Sequence, residues 1–198
     1  MRGENRQGRF NIPHERDSII SGTTKEMVNT VGNVIEWWFY DELNTLVDPI
    51  YDTGDNTNGG RLWIGPTLVP VINTSIMQGV TAQNDRGFYN TDILKITINI
   101  DMVEDHRRHY GKSADTYPNL TQMEINPDVY LRDRVIFRNE VWTPTQVSPL
   151  GLITDRYTVM SITCNQVNSE ELVNDTQFQK YANYNYFDRT VVPDQNAL

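Results

Sequence analysis

Hydrophobic and polar residues alternate most regularly in DILKITINID, residues 92–101. Leucine or isoleucine stands at every even-numbered position from Leu94 to Ile100, and a polar residue separates each pair. Successive side chains of a β-strand point to opposite faces of the sheet, so this spacing places the apolar residues on one face. The segment therefore predicts a half-buried strand with one solvated face.

Several other runs have the composition of strands. VIEWWFY, residues 34–40, combines aromatic and β-branched residues and suits a strand buried on much of both faces, and Gly32-Asn33 before it indicates a tight hairpin turn. Residues 61–79 predict either a pair of strands or one strand broken near Gly65-Pro66. RYTVMSITCNQV, residues 156–167, predicts the last strand.

A second hairpin is predicted in YLRDRVIFRNEVWTPTQV, residues 130–147. Two short apolar runs flank a polar turn around Arg138-Asn139-Glu140. Proline lacks the N–H group that a β-ladder requires, so Pro144 places the second strand at an edge of the sheet or marks a bulge in it.

Polar segments separate and flank these strands. Residues 102–128 predict one short helical turn and a loop, residues 1–17 are polar and rich in arginine, and residues 169–198 hold sparse apolar positions after a helix-start signal at Ser169. We therefore predict an all-β protein, a small barrel or sandwich of about six to eight antiparallel strands. Its core spans residues 18–168, with an extended N-terminal arm at 1–17 and a C-terminal arm with a short helix at 169–198.

The charge balance restricts the partners of the protein. The chain of 198 residues has 26 acidic and 17 basic side chains, a formal net charge of −9. Proteins that bind nucleic acid by neutralising phosphates need the opposite sign, although an acidic wall would let DNA slide past without sticking. No apolar run approaches the roughly 18–20 residues of a membrane span, and residues 1–17 lack the apolar core of a secretory signal. We therefore predict a soluble protein made in a cytoplasm.

Two partial motifs occur between residues 101 and 113. HYGKS, residues 109–113, ends like a phosphate-binding loop, but His106 stands where that loop needs a glycine. His106 and His109 could share a helix face as metal ligands together with nearby acids. The adjacent arginines at 107–108 disfavour a cation there, so a solvated charged turn is the preferred interpretation.

The remaining candidates for chemistry are also incomplete. Asp48, Asp52 and Asp55 resemble a calcium loop in composition but lack the glutamate at its twelfth position. The single cysteine, Cys164, excludes an internal disulfide, and its apolar surroundings predict a buried, inert thiol. We predict no catalytic residue, no metal site and no cofactor.

Two segments are candidates for interaction rather than chemistry. A loop at residues 48–60 is dense in glycine, aspartate and asparagine, and so long a loop in a compact domain is typically functional. Its candidate residues are Asp48, Pro49, Ile50, Tyr51, Asp52, Gly54, Asp55, Asn56, Asn58, Gly59 and Gly60. The arms carry arginines and aromatic side chains that suit burial against a partner, namely Arg2, Arg6, Arg9, Phe10, Phe178, Tyr181, Tyr184, Tyr186 and Phe187.

The order of several short blocks resembles a known family. YLRDRVIFRNEVWTPTQV and SPLG, followed by a strand leading to ELVNDTQF, are similar to the C-terminal half of head-to-tail stopper (head-completion) proteins of long-tailed bacteriophages. In that family, an upstream block from phages of actinobacterial hosts is similar to VDPIYDTG and GGRLWIGPTLVPVI. The resemblance covers approximately Val34 to Phe178. The family's hairpin turn usually carries glycine after asparagine, whereas Glu140 follows Asn139 here, which points to a longer or bulged loop.

The resemblance implies a small β-barrel that assembles into a ring of about six or twelve copies. Such a ring lies in the virion neck, between the portal with its adaptor above and the tail terminator or tail tube below. It continues the DNA channel, retains genomic double-stranded DNA without sequence specificity, and docks the tail. Within such a ring, the loop at residues 48–60 is the candidate for the channel constriction, because ring symmetry repeats one loop around the axis, and the resemblance agrees since related stoppers have a similar loop between early strands. A surface loop or a contact between subunits held by Tyr51 is the alternative.

Two other classes of function stay open on the sequence alone. A carbohydrate-binding β-sandwich would present tryptophans in an exposed row, whereas we expect Trp37, Trp38, Trp63 and Trp142 mostly to fill the core. A hydrolase on a β-scaffold would hold carboxylates with perturbed pKa values in a cleft. Within the virion interpretation, stopper, adaptor and tail terminator are not separated by the sequence.

Overall fold

The computed structural model describes residue 26 and residues 33–46, 60–84, 87–111, 121–153, 156–167, 172 and 175–182. Its strands are β1 (Val34–Tyr40), β2 (Trp63–Pro70), β3 (Asn73–Asn84), β4 (Gly87–Asn99), β5 (Arg134–Phe137), β6 (Glu140–Ile153) and β7 (Arg156–Gln166). Its helices are α1 (Ile100–His109), α2 (Gln122–Ile125), a 3₁₀ helix (Pro127–Arg132) and α3 (Gln179–Ala182).

The seven strands form one sheet in the order β2-β1-β5-β6-β7-β4-β3. Every neighbouring pair is antiparallel. The prediction of an all-β protein with about six to eight antiparallel strands is confirmed: the fold is mostly β, a curled seven-stranded sheet that forms a half-barrel, with a few short helices.

The curl of the sheet follows from the connection between β2 and β3. These strands lie at opposite edges, yet only Val71 and Ile72 separate them in sequence. The backbone N–H of Val71 donates to the carbonyl of Asn33 at 3.0 Å, and the next N–H, of Ile72, donates to the carbonyl of Thr97 at 2.9 Å. Consecutive residues therefore bond to the residue before β1 and to β4, which lie next to the two opposite edge strands, and the sheet must bend to bring its two sides together at this corner.

The inner face of the curled sheet holds the main core. Leu94, Ile96 and Ile98 of β4 are fully buried there and Lys95 is exposed, which confirms the half-buried strand predicted from period-two spacing. Ile100, the last residue of that pattern, instead begins α1. Cys164 lies in the same core, as predicted, and burial raises the pKa of its thiol.

β1 contributes side chains to both faces of the sheet, as its composition predicted. Ile35, Trp37 and Phe39 are buried in the inner core, and Trp38 is buried on the outer face. The two neighbours of β1 are β2 and β5. The first strand of the hairpin predicted around Gly32-Asn33 lies outside the described residues.

The break between β2 and β3 is not where the sequence indicated. Of the two alternatives, the pair of strands is observed, but Gly65-Pro66 lies inside β2 and the chain changes edge at Val71–Ile72. Gly65 has a different function: a Cβ atom there would lie 2.9 Å from the carbonyl oxygen of Trp37. Glycine therefore permits the close approach of β2 to β1.

The hairpin of β5 and β6 has a two-residue turn. Phe137 pairs with Glu140, and Arg138 and Asn139 both have positive φ, 54° and 62°. These angles define a type I′ turn. The expectation of a longer or bulged loop, drawn from the missing glycine, is therefore wrong, because asparagine and even arginine occupy the left-handed region here.

Pro144 lies in an interior strand, since β6 is paired on both sides. The register of β6 and β7 shifts between Pro144 and Gln146. At Pro144 itself, however, β6 pairs only with β7, because its pairing with β5 ends at Trp142, so both alternatives that the sequence left open describe this position.

The type I′ turn leads to a stability prediction. Replacing Arg138-Asn139 with Asn-Gly should raise the free energy of unfolding by about 1 kcal/mol, because a left-handed conformation is costly for arginine and is matched by Asn-Gly. Urea denaturation of the full chain measures the change. Arg138→Lys, which keeps both the charge and the backbone strain, should leave stability unchanged. Equal stability of the Asn-Gly variant and the parent would contradict the strain argument.

α1 is longer than predicted. The sequence indicated one helical turn between residues 102 and 128, whereas α1 has ten residues and α2 and the 3₁₀ helix follow. Asn99 caps α1, its side-chain oxygen accepting from the N–H of Asp101 at 2.9 Å. The helix was missed because two of its four buried residues, Glu104 and Arg107, are charged and hide the apolar period.

Candidate functional site

The most polar part of the interior is a buried ionic cluster of Glu104, Arg107, Tyr130 and Asp133, all at most 2% exposed. Arg107 forms an ion pair with Asp133 through Nη2, and its Nε lies 3.5 Å from Glu104 Oε1. The guanidinium carbon lies 4.9 Å from the ring centroid of Phe39 and 5.1 Å from that of Tyr130. Arg107 is therefore held by two carboxylates and two aromatic faces.

Asp133 joins β1 to the start of β5. Its Oδ2 accepts from Trp37 Nε1 at 2.9 Å, and its Oδ1 accepts from the backbone N–H of Tyr40 at 2.9 Å. Burial raises the pKa of the Asp133 carboxyl above its ordinary value, while the Arg107 guanidinium and these two hydrogen bonds act in the opposite direction.

Glu104 joins α1 to the segments that follow it. Its Oε1 accepts from the Tyr130 hydroxyl at 2.6 Å, and its Oε2 accepts from the backbone N–H of Gln122 at 3.2 Å. Burial and, next, the Glu104 carboxylate raise the pKa of the Tyr130 hydroxyl, which therefore stays protonated and donates. Together with Asp133, these bonds fix α1, α2, the 3₁₀ helix and β1 at one end of the sheet.

The same end of the sheet carries the base of the predicted loop. The backbone N–H of Leu46 donates to the carbonyl of Gly60 at 3.3 Å, and that of Asp41 donates to the carbonyl of Leu62 at 2.8 Å. Gly60 adopts a φ of 65°, which favours glycine. The other candidate loop residues, 48–59, lie outside the described residues. The residues just before and just after the loop are therefore hydrogen-bonded to each other beside the ionic cluster.

A cleft of about 530 Å³ opens beside the loop base. Three arginines contribute to its wall, but Arg132 forms an ion pair with Glu42 at 3.2 Å and Arg134 one with Asp175 at 2.8 Å. Much of the positive charge of the cleft is thus balanced within the chain.

The C-terminal segment packs on the outer face of the sheet. Phe178 is fully buried, with its ring centroid 5.1 Å from that of Trp38 and 5.4 Å from that of Trp63. Tyr181 is 8% exposed and donates its hydroxyl to Glu36 at 3.1 Å. From the sequence, Phe178 and Tyr181 are candidates for a partner contact; in the structure these two side chains pack against residues of their own chain.

The other predicted contact residues of the arms lie outside the described part of the chain. They are Arg2, Arg6, Arg9, Phe10, Tyr184, Tyr186 and Phe187. Their assignment stays a prediction, as do the domain boundaries at residues 17 and 168.

The two partial ligand motifs have structural explanations. Gly111 of HYGKS follows the C-terminus of α1 with a φ of 67°, and its N–H donates to the carbonyl of Arg108, so it ends a helix where a phosphate loop would begin one. His109 is exposed near the end of α1. Within the described ranges, no group of three or more His, Cys, Asp or Glu residues lies close enough to bind a metal ion.

All four tryptophans are buried. Trp37 and Trp142 are fully buried, and Trp63 and Trp38 are 6% and 9% exposed. The prediction that they mostly fill the core is confirmed, and the exposed row that would favour a sugar-binding face is not formed by them. Among the described helices, none has the length and apolar character needed to cross a bilayer.

Two β-ribbons project from opposite ends of the sheet. β4 pairs with β7 only from Ile93 onward, so Gly87–Asp92 and the facing part of β3 pair only with each other. At the other end, Leu150–Ile153 of β6 pair only with the first residues of β7. The first ribbon lies at the same end as the Arg138-Asn139 turn. The second lies at the end with the ionic cluster and the loop base.

The ionic cluster and the outer-face contacts were not found from the sequence. A signal for the cluster was present: Ile100, Val103, Glu104 and Arg107 have the spacing of one helix face, and all four are buried. No comparable signal exists for Gln177, whose side-chain amide bonds both backbone groups of Trp63, 114 residues away in sequence.

No protein-family model and no curated protein matches the sequence. Among solved structures, a chain described as "Virion of native gene transfer agent (GTA) particle" aligns with 68% of this chain and 94% of its own length. The identity is 11% and the TM-score is 0.34. A similarity at that level is too distant to carry an inference about function.

Proposed function

We propose that this protein is a structural component of a phage-like virion, and more specifically a head-to-tail stopper, a ring subunit of the neck. The sequence supports this through blocks that resemble the stopper family in the same order along the chain. The family implies a small β-barrel, and the curled seven-stranded sheet agrees with that architecture.

The observation that carries the proposal is that the fold has two differently equipped ends. One end presents the β3–β4 ribbon and the tight β5–β6 turn. The other presents the β6–β7 ribbon, the loop base and the helices held by the ionic cluster. A connector between two unlike structures needs a separate docking surface for each, and two unlike ends along one axis of the sheet support this proposal.

In this proposal identical copies contact one another through unlike surfaces, and such contacts close into a ring when the rotation permits. A ring of about six or twelve copies joins the portal or its adaptor to the tail terminator or tail tube. The formal charge of −9 per copy suits a channel through which genomic double-stranded DNA must move without adhering.

The loop between Leu46 and Gly60 is proposed as the constriction of this channel. Its two ends are joined by the Leu46–Gly60 hydrogen bond, so the loop leaves and re-enters the described fold at one end of the sheet. The ionic cluster lies next to this base and bonds the backbone of Tyr40 just before it. Ring symmetry would bring one such loop from each copy toward the axis.

The proposal is tested with particles produced with and without this protein. Particles that lack it should fill with DNA and then lose it, and should fail to join tails; DNA content by nuclease protection and tail attachment by electron microscopy measure the two effects. A variant lacking residues 50–57 should still assemble into particles with tails but should leak DNA. A matched control is shortening the opposite Asn84–Gly87 hairpin tip.

Particles that retain their genome and attach tails without the protein would contradict the neck assignment. Full DNA retention by the loop deletion would remove only the constriction and leave the ring. Leakage caused equally by shortening the Asn84–Gly87 tip would show that the effect is not specific to the loop.

A further inference from the structure

The half-barrel has two free edges, and they differ in how they are protected. β2 and β3 are the terminal strands of the sheet. An edge strand presents unpaired N–H and C=O groups that can template another strand, and proteins usually block it with proline, charge or a covering segment.

The β2 edge carries such protection. It contains Pro66 and Pro70, which cannot donate to an added strand. At the beginning of β2, the side-chain amide of Gln177 takes the hydrogen bonds that a neighbouring strand would make. Its Oε1 accepts from the Trp63 N–H at 2.8 Å, and its Nε2 donates to the Trp63 carbonyl at 2.9 Å. The C-terminal segment thus covers the beginning of this edge, and the two prolines interrupt the rest.

The β3 edge lacks proline and charge, and its irregular part is the register shift between Met77 and Val80, where the Gly79 N–H donates to Asp92 Oδ1 at 2.9 Å. Its twelve residues, NTSIMQGVTAQN, include neither proline nor a charged side chain. Among the described residues, β4 is the only strand paired with it. Ile76 packs on the inner core but stays only partly buried, and Met77 is 54% exposed. Its regular part, residues 73–77, therefore has one side that no described strand pairs with, next to apolar surface that an added strand would cover.

The absence of charged side chains from β3 also points to a second copy as its partner. Copies that each carry a net charge of −9 repel one another, and a stretch of twelve uncharged residues is where such copies can approach at least cost. The N-terminal arm has the opposite sign, since residues 1–12 contain Arg2, Arg6 and Arg9 but only one acid, Glu4.

The same arm contains a short segment with strand spacing. In Arg9-Phe10-Asn11-Ile12 the apolar residues Phe10 and Ile12 are two apart, and Pro13 ends the run. About twenty residues separate Ile12 from Asn33, and since Glu26 among them is helical, their reach is less than the roughly 70 Å of a fully extended chain but still ample for a neighbouring copy. We infer that Arg9–Ile12 of one copy adds as a strand to the β3 edge of the next, with Phe10 and Ile12 covering Ile76. This deepens, and rests on, the proposed ring.

Strand addition at this edge links each copy to the next in one direction. The arm is donated by one surface and accepted by another, so the contact is head-to-tail, the kind that closes into rings. Backbone hydrogen bonds supply the affinity and the alternating apolar positions supply the register.

Cysteine cross-linking of the full chain tests the inference. Asn11→Cys is combined with Ser75→Cys or Met77→Cys, which lie on the outer face of β3 opposite Ile76, in a Cys164→Ala background. Oxidation of the purified chain, and of particles that contain it, should give a ladder of covalent oligomers. The control pair, Asn11→Cys with Leu68→Cys on the protected β2 edge, should give none although Leu68 is 65% exposed.

A second variant tests the edge itself. Ser75→Lys in the Asn11→Cys/Met77→Cys chain adds the charge that protected edges carry, and should abolish most of the ladder without changing the melting temperature. Tyr186→Cys paired with Met77→Cys examines the C-terminal tail as the alternative occupant.

Three outcomes would overturn the inference: no cross-link in either preparation, a cross-link only within one chain, or a ladder with Tyr186→Cys and not with Asn11→Cys. Failure of the proposed neck function has a different signature. If normally produced particles do not contain the protein, but the purified chain with Asn11→Cys still forms the ladder of oligomers, the edge contact stands and the neck assignment fails. If particles that contain the cysteine variants retain DNA normally but oxidation gives no covalent oligomers, the neck assignment stands and the edge contact fails.

Discussion

Replacing Arg107 with methionine is expected to lower the free energy of unfolding by about 3–5 kcal/mol, because removing one partner of a buried ion pair leaves the other charge uncompensated. Arg107 is 2% exposed and is the cation between Asp133 and Glu104, which are both fully buried. Methionine fills similar volume, so the loss reports mainly on charge and hydrogen bonding. Urea denaturation followed by tryptophan fluorescence is a direct measurement, since Trp37 donates to Asp133.

The next residue of α1 provides the matched control. Arg108 pairs with Asp105 at 3.3 Å, but the two side chains are 39% and 72% exposed. Arg108→Met should change stability by no more than about 0.5 kcal/mol, as is usual for surface pairs. Adding Asp133→Asn to Arg107→Met should recover part of the loss by removing the stranded charge. A loss with Arg107→Met as small as that with Arg108→Met would mean that the cluster does not hold this end of the sheet.

The strands were predictable where one local rule determines the side-chain direction. In β4 the alternation of Leu94, Ile96 and Ile98 with polar residues directly gives the buried face, because strand geometry has period two. Pro144 was equally informative, since the missing N–H limits it to an edge or a bulge whatever its neighbours are.

The arrangement of the strands was not predictable in this way. Val71 and Ile72 bond to opposite sides of the sheet, because their acceptors Asn33 and Thr97 lie beside β1 and in β4, distant in sequence. The order of strands depends on such non-local pairing, and no local pattern around Val71 distinguishes a change of edge from a simple break at Gly65-Pro66.

In the candidate site too, features set by local sequence were predictable and features set by distant contacts were not. The loop base was indicated by composition, because glycine and aspartate at residues 48–60 have local conformational preferences. The ionic cluster was not, because Asp133 meets Arg107 across 26 residues and Trp37 across 96. A charged residue in sequence predicts exposure by default, and only the partners brought together by the fold reverse that expectation.

Replacing Phe178 with alanine is expected to destabilise the isolated chain by about 3–5 kcal/mol, the usual cost of truncating a buried aromatic side chain. Phe178 is fully buried, packs edge-to-face on Trp38 and Trp63, and lies 4.9 Å from the Arg134 guanidinium carbon. Its loss would leave a cavity between the C-terminal segment and the sheet. Thermal and urea unfolding of the purified full chain measure the change.

Neighbouring residues separate packing from other effects. Gln179→Ala alters an exposed position one residue away and should have almost no effect, and Tyr181→Phe removes only the hydroxyl that donates to Glu36, worth about 0.5–1.5 kcal/mol. If Phe178→Ala leaves the stability of the isolated chain unchanged but impairs assembly, the aromatic residue acts on a partner, as its position in a polar segment first indicated. A large loss in the isolated chain instead makes the segment up to Tyr181 part of the folded domain, because its burial is then needed before any partner is present.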